Sequence, residues 1–215
     1  EPGDGMPLAT IGPYELRQRI GRGGQGDVWL GEDPRLRRRV AIKLLRGVAF
    51  ATADGLERFR REAQVASRLD HPGLCAIYDA GFAAGMPYLV MRYVDGEPLA
   101  AAIPRLVPRP GSERLEQLRR VATILERLAR ALHVAHEAAV LHRDVKPQNV
   151  MLTADDEPVL LDFGLARLTD DDTLFTRTGD RLGTPAYMAP EQLAERPAPP
   201  DRSTDVYGLG VVLYE

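Results

Sequence analysis

The chain has 215 residues, of which 44% are hydrophobic and 27% are charged. These shares match ordinary globular domains, so the composition excludes a disordered tail or a fibrous repeat. The 28 Lys and Arg residues against 31 Asp and Glu residues leave a formal net charge of −3, too balanced for a protein whose main partner is nucleic acid or an anionic membrane surface. The single cysteine, Cys75, excludes an internal disulfide, and we expect it to be a small buried apolar residue.

The sequence has no obvious membrane or export segment. No stretch approaches the roughly 18 apolar residues of a membrane helix, and residues 1–10 lack the basic and apolar blocks of a signal peptide. We therefore predict a soluble chain. Because the sequence begins at Glu1 and stops at Glu215 inside an apolar run, we also expect it to be a fragment.

The first third of the chain predicts an antiparallel sheet interrupted by one helix. Short segments rich in β-branched or aromatic residues predict strands over 14–20, 27–31, 40–45, 76–81 and 87–94. An apolar stripe of helical period predicts a helix over 56–69, and its members are Leu56, Phe59, Ala63, Ala66 and Leu69. The predicted domains are a flank over 1–13, an N-terminal lobe over 14–94 and a second lobe over 95–215, with the boundary at Asp95 and Gly96.

The second lobe is predicted to be mostly helical. Prolines between 104 and 110 predict a stiff connection before a long helix over 112–138. The apolar stripe of that helix consists of Leu115, Leu118, Ala122, Leu125, Leu128, Leu132 and Ala135. Strands over 150–152 and 159–161 precede an irregular stretch, 162–184, which is too long for an ordinary connection and is expected to be functional.

A glycine-rich segment follows the first predicted strand. Residues 20–28, Ile-Gly-Arg-Gly-Gly-Gln-Gly-Asp-Val, contain the spacing Gly-x-Gly-x-x-Gly-x-Val, which lets backbone amides approach phosphate oxygens. In a dinucleotide-binding fold such glycines lead into a helix, whereas here they lead into a predicted strand. A plain hairpin turn remains the alternative for this segment alone.

A lysine and a glutamate form the second candidate feature. Lys43 ends the apolar run Val-Ala-Ile-Lys, and a buried ammonium needs a negative partner. Glu62, on the following predicted helix, can supply it and hold the ammonium toward a phosphate. The alternative is that Lys43 extends to solvent while Glu62 pairs on the surface with Arg58 or Arg61.

A tight loop after the long helix concentrates chemistry-bearing side chains. In His-Arg-Asp-Val-Lys-Pro-Gln-Asn, residues 142–149, Asp144 can accept a hydroxyl proton and Lys146 can neutralise charge on a transferred group. Asn149 can bind a hard divalent cation through its oxygen, and Asp162 of Asp-Phe-Gly adds a second oxygen ligand. A purely structural role for all these groups together is a poor alternative.

Taken in order, these motifs resemble the eukaryotic-like (Hanks-type) protein serine/threonine kinases. The resemblance runs from about Tyr14 to the end of the chain and includes Ala-Pro-Glu at 189–191. The form of the catalytic loop at Lys146 and the segment 183–191 look like serine/threonine rather than tyrosine kinases, in the style of the bacterial branch. The resemblance implies an α+β bilobal protein-kinase-like fold, with an N-lobe antiparallel sheet plus one helix and a mostly helical, incomplete C-lobe.

The resemblance also implies roles for individual residues, with ATP and Mg²⁺ as cofactors. Asp144 would orient the substrate hydroxyl and take its proton, Lys146 would neutralise charge, and Asn149 and Asp162 would bind Mg²⁺. Lys43, braced by Glu62, would hold the α- and β-phosphates. The remaining ATP-binding residues implied are Ile20, Gly21, Gly23, Gly26, Val28, Ala41, Met91, Arg92 and Val94.

Regulation would follow from phosphorylation of the irregular stretch. Arg143 would sense a phosphorylated activation loop, and we predict autophosphorylation at Thr176 and Thr178, with simple solvated threonines as the alternative. Arg92 stands where the family usually has Glu, and Tyr207 where it usually has Trp; we expect little cost from either. We expect Glu191 to lack its usual Arg partner and the lower lobe to expose apolar surface, so that the chain alone is poorly stable and weakly active.

Two other functions compete with a kinase that phosphorylates Ser and Thr hydroxyls of proteins. A pseudokinase would have lost Lys43, Asp144, Asn149 or Asp162, and all four are present. A small-molecule phosphotransferase would lack the segment 183–191. We expect protein substrates, no nucleic acid, a homodimer for autophosphorylation, a cytoplasmic location, and membrane attachment only through a missing C-terminal part.

Overall fold

The structure is a computed structural model that describes residues 9–24, 26–46, 52–108, 114–163, 185–193 and 199–215. These residues fall into two compact units. The first unit holds residues 9–68 and 76–93, and the second holds residues 69–75 together with those from 94 onward. Thr173, Thr176 and Thr178, and most of the stretch 162–184, lie outside the described residues.

The first unit contains a six-stranded antiparallel sheet with the strand order β1-β2-β3-β4-β6-β5. Its strands are β1 (Ala9–Ile11), β2 (Tyr14–Gly23), β3 (Gly26–Asp33), β4 (Arg38–Leu45), β5 (Ile77–Ala83) and β6 (Met86–Arg92). All five strands predicted here are present, although several are longer than predicted. Strand β1, which pairs with the start of β2, was missed because three residues carry too little alternation to be recognised.

One face of this sheet carries the core of the unit. The buried members of this core are Ile11, Tyr14, Leu16, Val40, Ile42, Tyr88 and Val90. The Tyr88 hydroxyl group lies where side chains at Gly12 and Gly81 would sit, since a Cβ at either glycine would come within 2.6 Å of it. These two glycines therefore make room for a tyrosine in the core.

Helix α1 (Ala53–Ala66) belongs to the same unit and begins at a well-formed cap. The side chain of Thr52 accepts a hydrogen bond of 3.1 Å from Gly55 N, and Asp54 places an acid in the first turn. Both features stabilise the amino-terminal end of a helix. The predicted apolar stripe is confirmed within the helix, where Phe59, Ala63 and Ala66 are buried.

The second unit combines helices with a small sheet of the order β7-β8-β9. Its elements are β7 (Glu97–Pro98), α2 (Leu99–Leu106), α3 (Arg114–Glu137), β8 (Val150–Leu152), β9 (Pro158–Leu160), α4 (Pro190–Leu193) and α5 (Arg202–Tyr214). Helix α3 packs against α2, α5 and β9. Cys75 is buried, as expected, and its amide donates to Leu160 O on β9.

Two sequence predictions in this unit are wrong. The stiff connection predicted around Pro104 is helix α2, which keeps this proline in its interior and buries Leu99, Ala102 and Leu106. Burial of three apolar side chains therefore outweighs the hydrogen bond that a proline removes. The stripe of α3 is correct at Leu128, Leu132 and Ala135, but Leu115, Leu118 and Ala122 are exposed. The periodicity of a sequence shows which face of a helix is apolar. It does not show how much of that face is covered by neighbouring elements.

Helix α5 exposes large apolar side chains, in agreement with the apolar surface expected of this lobe. Val206, Leu213 and Tyr214 are 62%, 61% and 91% exposed.

Within the described residues, no helix is both long enough and apolar enough to cross a membrane.

Candidate active site

The glycine-rich segment forms the hairpin between β2 and β3. Gly23 pairs with Gly26 at the end of this ladder. Gly26 has a φ of +147°, and a Cβ on it would lie 1.9 Å from the carbonyl oxygen of Leu44. Only glycine fits this position, because any side chain would collide with β4. The segment leads into a strand, which agrees with a phosphate-covering hairpin and excludes the dinucleotide-binding arrangement.

The candidate nucleotide residues of the sheet lie on one face. Val28 is paired with Lys43, and Ala41 is paired with Met91. Paired residues of antiparallel strands share a face, and so do residues two apart along a strand. Val28, Ala41, Lys43 and Met91 therefore share one face of β3, β4 and β6, opposite the face of the core residues Val40, Ile42 and Val90.

Lys43 and Glu62 both lie in the first unit. Lys43 is only 4% exposed, so the alternative in which its ammonium extends to solvent is wrong. Glu62 is half-buried on α1, and its Oε2 is shielded from solvent. Nearby, Arg61 pairs with Glu57 at 3.4 Å, one turn earlier on the helix. Lys43 thus places a buried ammonium on the sheet face of the candidate nucleotide residues, where it is suited to bind phosphate.

An aspartate in the glycine hairpin was not singled out in the sequence. Asp27, 8% exposed, binds the guanidinium of Arg46 just beyond the end of β4. This ion pair ties the β3 side of the hairpin to its neighbouring strand. The only sequence signal for it was the opposite charge of a residue on one predicted strand, Asp27, and a residue just after another, Arg46.

Arg92 and Val94 end the strand-rich part of the chain. The backbone amide of Arg92 donates a hydrogen bond of 2.9 Å to Ala76 O. A contact between the Arg92 backbone and an adenine base would therefore use its carbonyl group. Val94 is half-buried in the second unit, and Ile20 is 46% exposed on β2.

The catalytic loop brings three of the predicted side chains together. Lys146 Nζ donates to Asp144 Oδ2 at 2.6 Å, and Asn149 Nδ2 donates to the same oxygen at 3.0 Å and to Asp144 O at 2.8 Å. Asp144 Oδ1 receives no hydrogen bond from any residue that the structure describes, and the side chain is 32% exposed. One carboxylate oxygen is thus fixed by two donors while the other faces outward. This is the arrangement that a proton acceptor requires.

His142 connects this loop to the segment that carries Asp162. Its Nε2 donates to Leu161 O at 2.7 Å, while its Nδ1 accepts from Asp144 N at 3.3 Å. Its ring also contacts Phe163 edge to face, with centroids 4.8 Å apart. Both sides of His142 therefore hold the backbone around the proposed active-site carboxylates.

Asn149 and Asp162 lie at adjacent backbone positions. The amide of Leu161 donates to Asn149 O at 2.8 Å, which puts the next residue, Asp162, beside the end of the catalytic loop. Asp162 has a φ of +58°, an uncommon conformation for a residue other than glycine. Because the Nδ2 of Asn149 is used on Asp144, its Oδ1 is the atom suited to a cation. Among the described residues, no group of three or more His, Cys, Asp or Glu side chains forms a metal site.

Asp205, on α5, holds the catalytic loop in place. The sequence analysis did not identify it. It is 1% exposed and accepts hydrogen bonds from the amides of His142 and Arg143, at 2.8 and 2.6 Å. His136 Nε2 donates to it at 2.7 Å. The available signal was an acid that directly precedes the apolar part of this helix, since a buried carboxylate requires donors.

The segment 185–193 also contacts the catalytic loop. Gln192 accepts from Ala189 N at 2.9 Å and donates to Arg143 O at 3.2 Å. Glu191, expected to lack its arginine partner, accepts a hydrogen bond of 2.7 Å from Thr204 Oγ1. Both contacts secure the Ala-Pro-Glu motif to the second unit.

The distribution of lysine adds to this picture. Lys43 and Lys146 are the only lysines among the 28 basic residues of the chain. Arginine is used everywhere else, so the compact ammonium occurs only at the two positions that the resemblance predicts to contact phosphate. An ammonium is a more compact charge than a guanidinium.

Comparison with known proteins shows the family of this chain. The family model described as the protein kinase domain matches residues 14–215. Crystal structures of the Mycobacterium tuberculosis PknI kinase domain match 95–96% of this chain and 72–75% of their own chains, with a TM-score of 0.71 and 30% identity. The chain therefore belongs to the protein kinase family, and the expected α+β kinase fold is confirmed.

The sequence relatives specify the branch. Serine/threonine-protein kinase PknA of Mycobacterium tuberculosis is 41% identical over 213 residues, which is 97% of this chain and 47% of PknA. PknB of Mycobacterium leprae is 42% identical over 206 residues, 94% of this chain and 32% of PknB. The chain is thus a kinase domain of the bacterial serine/threonine type. It spans about half the length of PknA and about a third of the length of PknB.

Proposed function

We propose that this protein transfers the γ-phosphate of ATP to Ser and Thr hydroxyls of proteins. The observation that carries the proposal is the contact of Asp144 with both Lys146 and Asn149. It leaves one carboxylate oxygen for a substrate proton beside a cation and an amide oxygen. The buried Lys43, on the same sheet face as Val28, Ala41 and Met91, supports nucleotide binding.

The residues present fit ATP and Mg²⁺. Magnesium is usually held by one or two protein oxygens together with substrate phosphates, which matches Asn149 Oδ1 and Asp162. At the tip of the hairpin, a Cβ on Gly23 or Gly24 would meet nothing within 4 Å, so there is open space around these glycines. When bound, the magnesium nucleotide supplies the phosphoryl group and neutralises charge on the transferred oxygens.

Asp144 acts on the acceptor. Its outward oxygen takes the hydroxyl proton as the new bond between the substrate oxygen and phosphorus forms and the bond to the leaving ADP oxygen breaks. Lys146 stays hydrogen-bonded to the other oxygen and offers its remaining N–H groups to the transferred phosphate. Most of the acceleration comes from positioning and charge neutralisation, because phosphoryl transfer needs little covalent help.

We further propose regulation by autophosphorylation at Thr176 and Thr178, with Arg143 as the sensor. The Arg143 guanidinium Nε is shielded from solvent, and its backbone carbonyl is held by Gln192. Two phosphates would add roughly −3 to −4 charge, enough to order a loop against cations. Protein substrates, a cytoplasmic kinase domain and a homodimer for autophosphorylation belong to the same proposal.

The test is the intact mass of the protein after incubation with magnesium and ATP. We expect phosphate increments in the wild type and none in Asp144→Asn, which keeps the side-chain shape but not the proton acceptor. Asp155→Asn is the matched control, since Asp155 is exposed on the turn between β8 and β9. Peptide mapping of the product locates the phosphates; phosphate found only away from Thr176 and Thr178 contradicts the regulatory proposal.

The pseudokinase alternative predicts a different outcome. If wild type and both variants are folded, bind ATP and gain no mass, the transfer reaction is absent and only nucleotide binding remains. If Asp144→Asn gains as much phosphate as the wild type, Asp144 is not the acceptor.

A further inference from the structure

A glutamine on the short helix α4 uses both ends of its side-chain amide on the backbone. The Oε1 of Gln192 accepts a hydrogen bond of 2.9 Å from Ala189 N, and its Nε2 donates one of 3.2 Å to Arg143 O. The backbone amide of Gln192 also donates to Ala189 O at 2.9 Å. Making both side-chain contacts requires an acceptor and a donor in one group, which an amide has and a carboxylate lacks.

The contact with Ala189 is a helix cap. Ala189 directly precedes α4, and Gln192 is the third residue of that helix. At this position Glu and Gln are the usual residues, because their side-chain oxygen accepts from the backbone N–H that precedes the helix. Glutamate fills this role at least as well, since negative charge is favourable at the amino-terminal end of a helix. The cap therefore explains an acceptor at position 192 but not the choice of an amide.

The contact with Arg143 lies directly before the proposed proton acceptor. Arg143 O and Asp144 N belong to one planar peptide group. Gln192 holds the carbonyl end of this group, and His142 Nδ1 accepts from the amide end at 3.3 Å. Because the group leads into the Cα of Asp144, a rotation of its plane would turn the carboxylate away from its present direction.

The backbone of Arg143 depends on such contacts. Its φ of +67° lies in the left-handed region, which is unfavourable for a residue other than glycine. Asp205 accepts from the amide of Arg143 at 2.6 Å, and Gln192 donates to its carbonyl group. The strained residue is thus held on both sides, by one side chain from α5 and one from α4.

We propose that Gln192 is a positioning residue for Asp144. Its Nε2 fixes the peptide group before Asp144, so that the outward carboxylate oxygen keeps its direction, while its Oε1 caps α4. The geometry of the proton acceptor then depends on the turn of helix that follows the Ala-Pro motif. This inference rests on the proposed phosphoryl transfer and adds a residue to it.

The experiment separates the cap from the positioning contact with Gln192→Glu. This variant keeps the capping acceptor and loses the donor to Arg143 O. With the whole chain at saturating magnesium and ATP, we expect the initial rate of phosphate gain, followed by intact mass, to fall about tenfold. The ATP concentration that gives half the maximal rate should stay within about twofold of the wild type.

Two further variants complete the comparison. Gln192→Met removes both contacts at similar size, so it should lose rate as Gln192→Glu does and should also unfold at a lower urea concentration. Gln192→Glu should unfold close to the wild-type midpoint, because its cap remains. Gln64→Glu makes the same charge change at an exposed position on α1 and should match the wild type in rate and stability.

Hydrogen exchange of the Asp144 amide gives a readout that needs no phosphoryl transfer. We expect this amide to exchange roughly tenfold faster in Gln192→Glu and Gln192→Met than in the wild type, and at the wild-type rate in Gln64→Glu. A wild type that gains no phosphate would contradict the proposed function, and the exchange rates alone would then decide whether Gln192 holds the loop.

Two results would overturn the inference. If Gln192→Glu transfers phosphate at the wild-type rate, or if its Asp144 amide exchanges as in the wild type, Gln192 is a helix cap and does not position the acceptor.

Discussion

Asp205 Oδ1 accepts a hydrogen bond of 2.6 Å from the amide of Arg143, whose φ is +67°. A left-handed conformation costs a residue other than glycine about 1–2 kcal/mol. Because Arg143 directly precedes Asp144, the bond that stabilises this conformation also aims the proposed proton acceptor. Helix α5, through its buried Asp205, is therefore a positioning element for the catalytic loop.

The first prediction concerns Asp205→Asn. The amide cannot accept all three hydrogen bonds that the carboxylate receives, so the Arg143 backbone should relax. We expect kcat to fall about 100-fold and the free energy of unfolding to fall by about 3 kcal/mol, measured by phosphoryl transfer and urea unfolding. Asp155→Asn serves as control. A folded Asp205→Asn protein with unchanged kcat would contradict the positioning role.

The second prediction uses two glycines on α5. A Cβ on Gly208 would come within 2.8 Å of Val145 O and 2.9 Å of Val145 Cβ, whereas one on Gly210 would meet nothing within 4 Å. Val145 lies between Asp144 and Lys146. Gly208→Ala should therefore displace the catalytic loop and lower kcat at least tenfold, while Gly210→Ala should raise stability by about 1 kcal/mol through helix propensity. Equal kcat in both variants would show that the close packing is irrelevant to catalysis.

Motifs of the site were predictable because each is local in sequence. The loop that holds Asp144, Lys146 and Asn149 spans six residues, and its internal hydrogen bonds follow from that proximity. Strand pairing was also predictable, since alternating apolar residues and turn residues mark β2 to β4. The sequence did not show that Val28 and Lys43 share one face of the sheet. That follows from the register of β3 against β4, which the sequence alone left open.

Long-range supports of the site were not predictable in the same way. Asp205 binds the amide of a residue 62 positions earlier, and nothing in the spacing of the two indicates the contact. The interior proline of α2 was interpreted as part of a stiff connection, because local propensity ignores what tertiary burial of Leu99 and Leu106 contributes. These are cases in which packing overrides local signals.

The third prediction compares two glycines of the hairpin between β2 and β3, which we propose covers the ATP phosphates. Gly26→Ala would place a methyl group 1.9 Å from Leu44 O at a strained φ, whereas Gly24→Ala meets nothing within 4 Å. We expect Gly26→Ala to raise the KM for ATP at least tenfold because the hairpin must move away from β4. Gly24→Ala should change it by less than about threefold. Steady-state kinetics at varied ATP concentrations distinguish the two, and parallel KM changes would refute the steric argument.

The fourth prediction is that Lys43→Arg inactivates the enzyme although the charge is kept. Lys43 is 4% exposed, so the larger planar guanidinium has no room to occupy the position of the ammonium. A displacement of about 1 Å at such a site costs about 100-fold in rate. The reverse exchange, Arg61→Lys on the exposed face of α1, is the control and should leave kcat unchanged. An active Lys43→Arg protein would mean that Lys43 provides charge without a defined geometry.

The last prediction concerns pH and Tyr14. Its hydroxyl group donates to Asp79 Oδ2 at 2.7 Å and accepts from Arg35 at 3.1 Å. Burial, followed by the contact with the Asp79 carboxylate, raises the pKa of Tyr14 from 10.0 to about 12. Because the folded-state pKa lies above the unfolded value, the neutral phenol stabilises the fold fully below pH 10, and this contribution is lost as the pH rises toward 12.

Urea unfolding between these two pH values tests this directly. The free energy of unfolding of the wild type should decline by up to about 1.4 kcal/mol per pH unit from this residue. Tyr14→Phe should be less stable at neutral pH and should show a flatter decline, because it has no phenol to ionise. Tyr214→Phe is the matched control, since Tyr214 is 91% exposed, and it should follow the wild type. If the free energy of unfolding of Tyr14→Phe declines with pH as steeply as that of the wild type, another group causes the loss of stability at alkaline pH. Ionisation of Tyr14 then does not control the stability of the sheet.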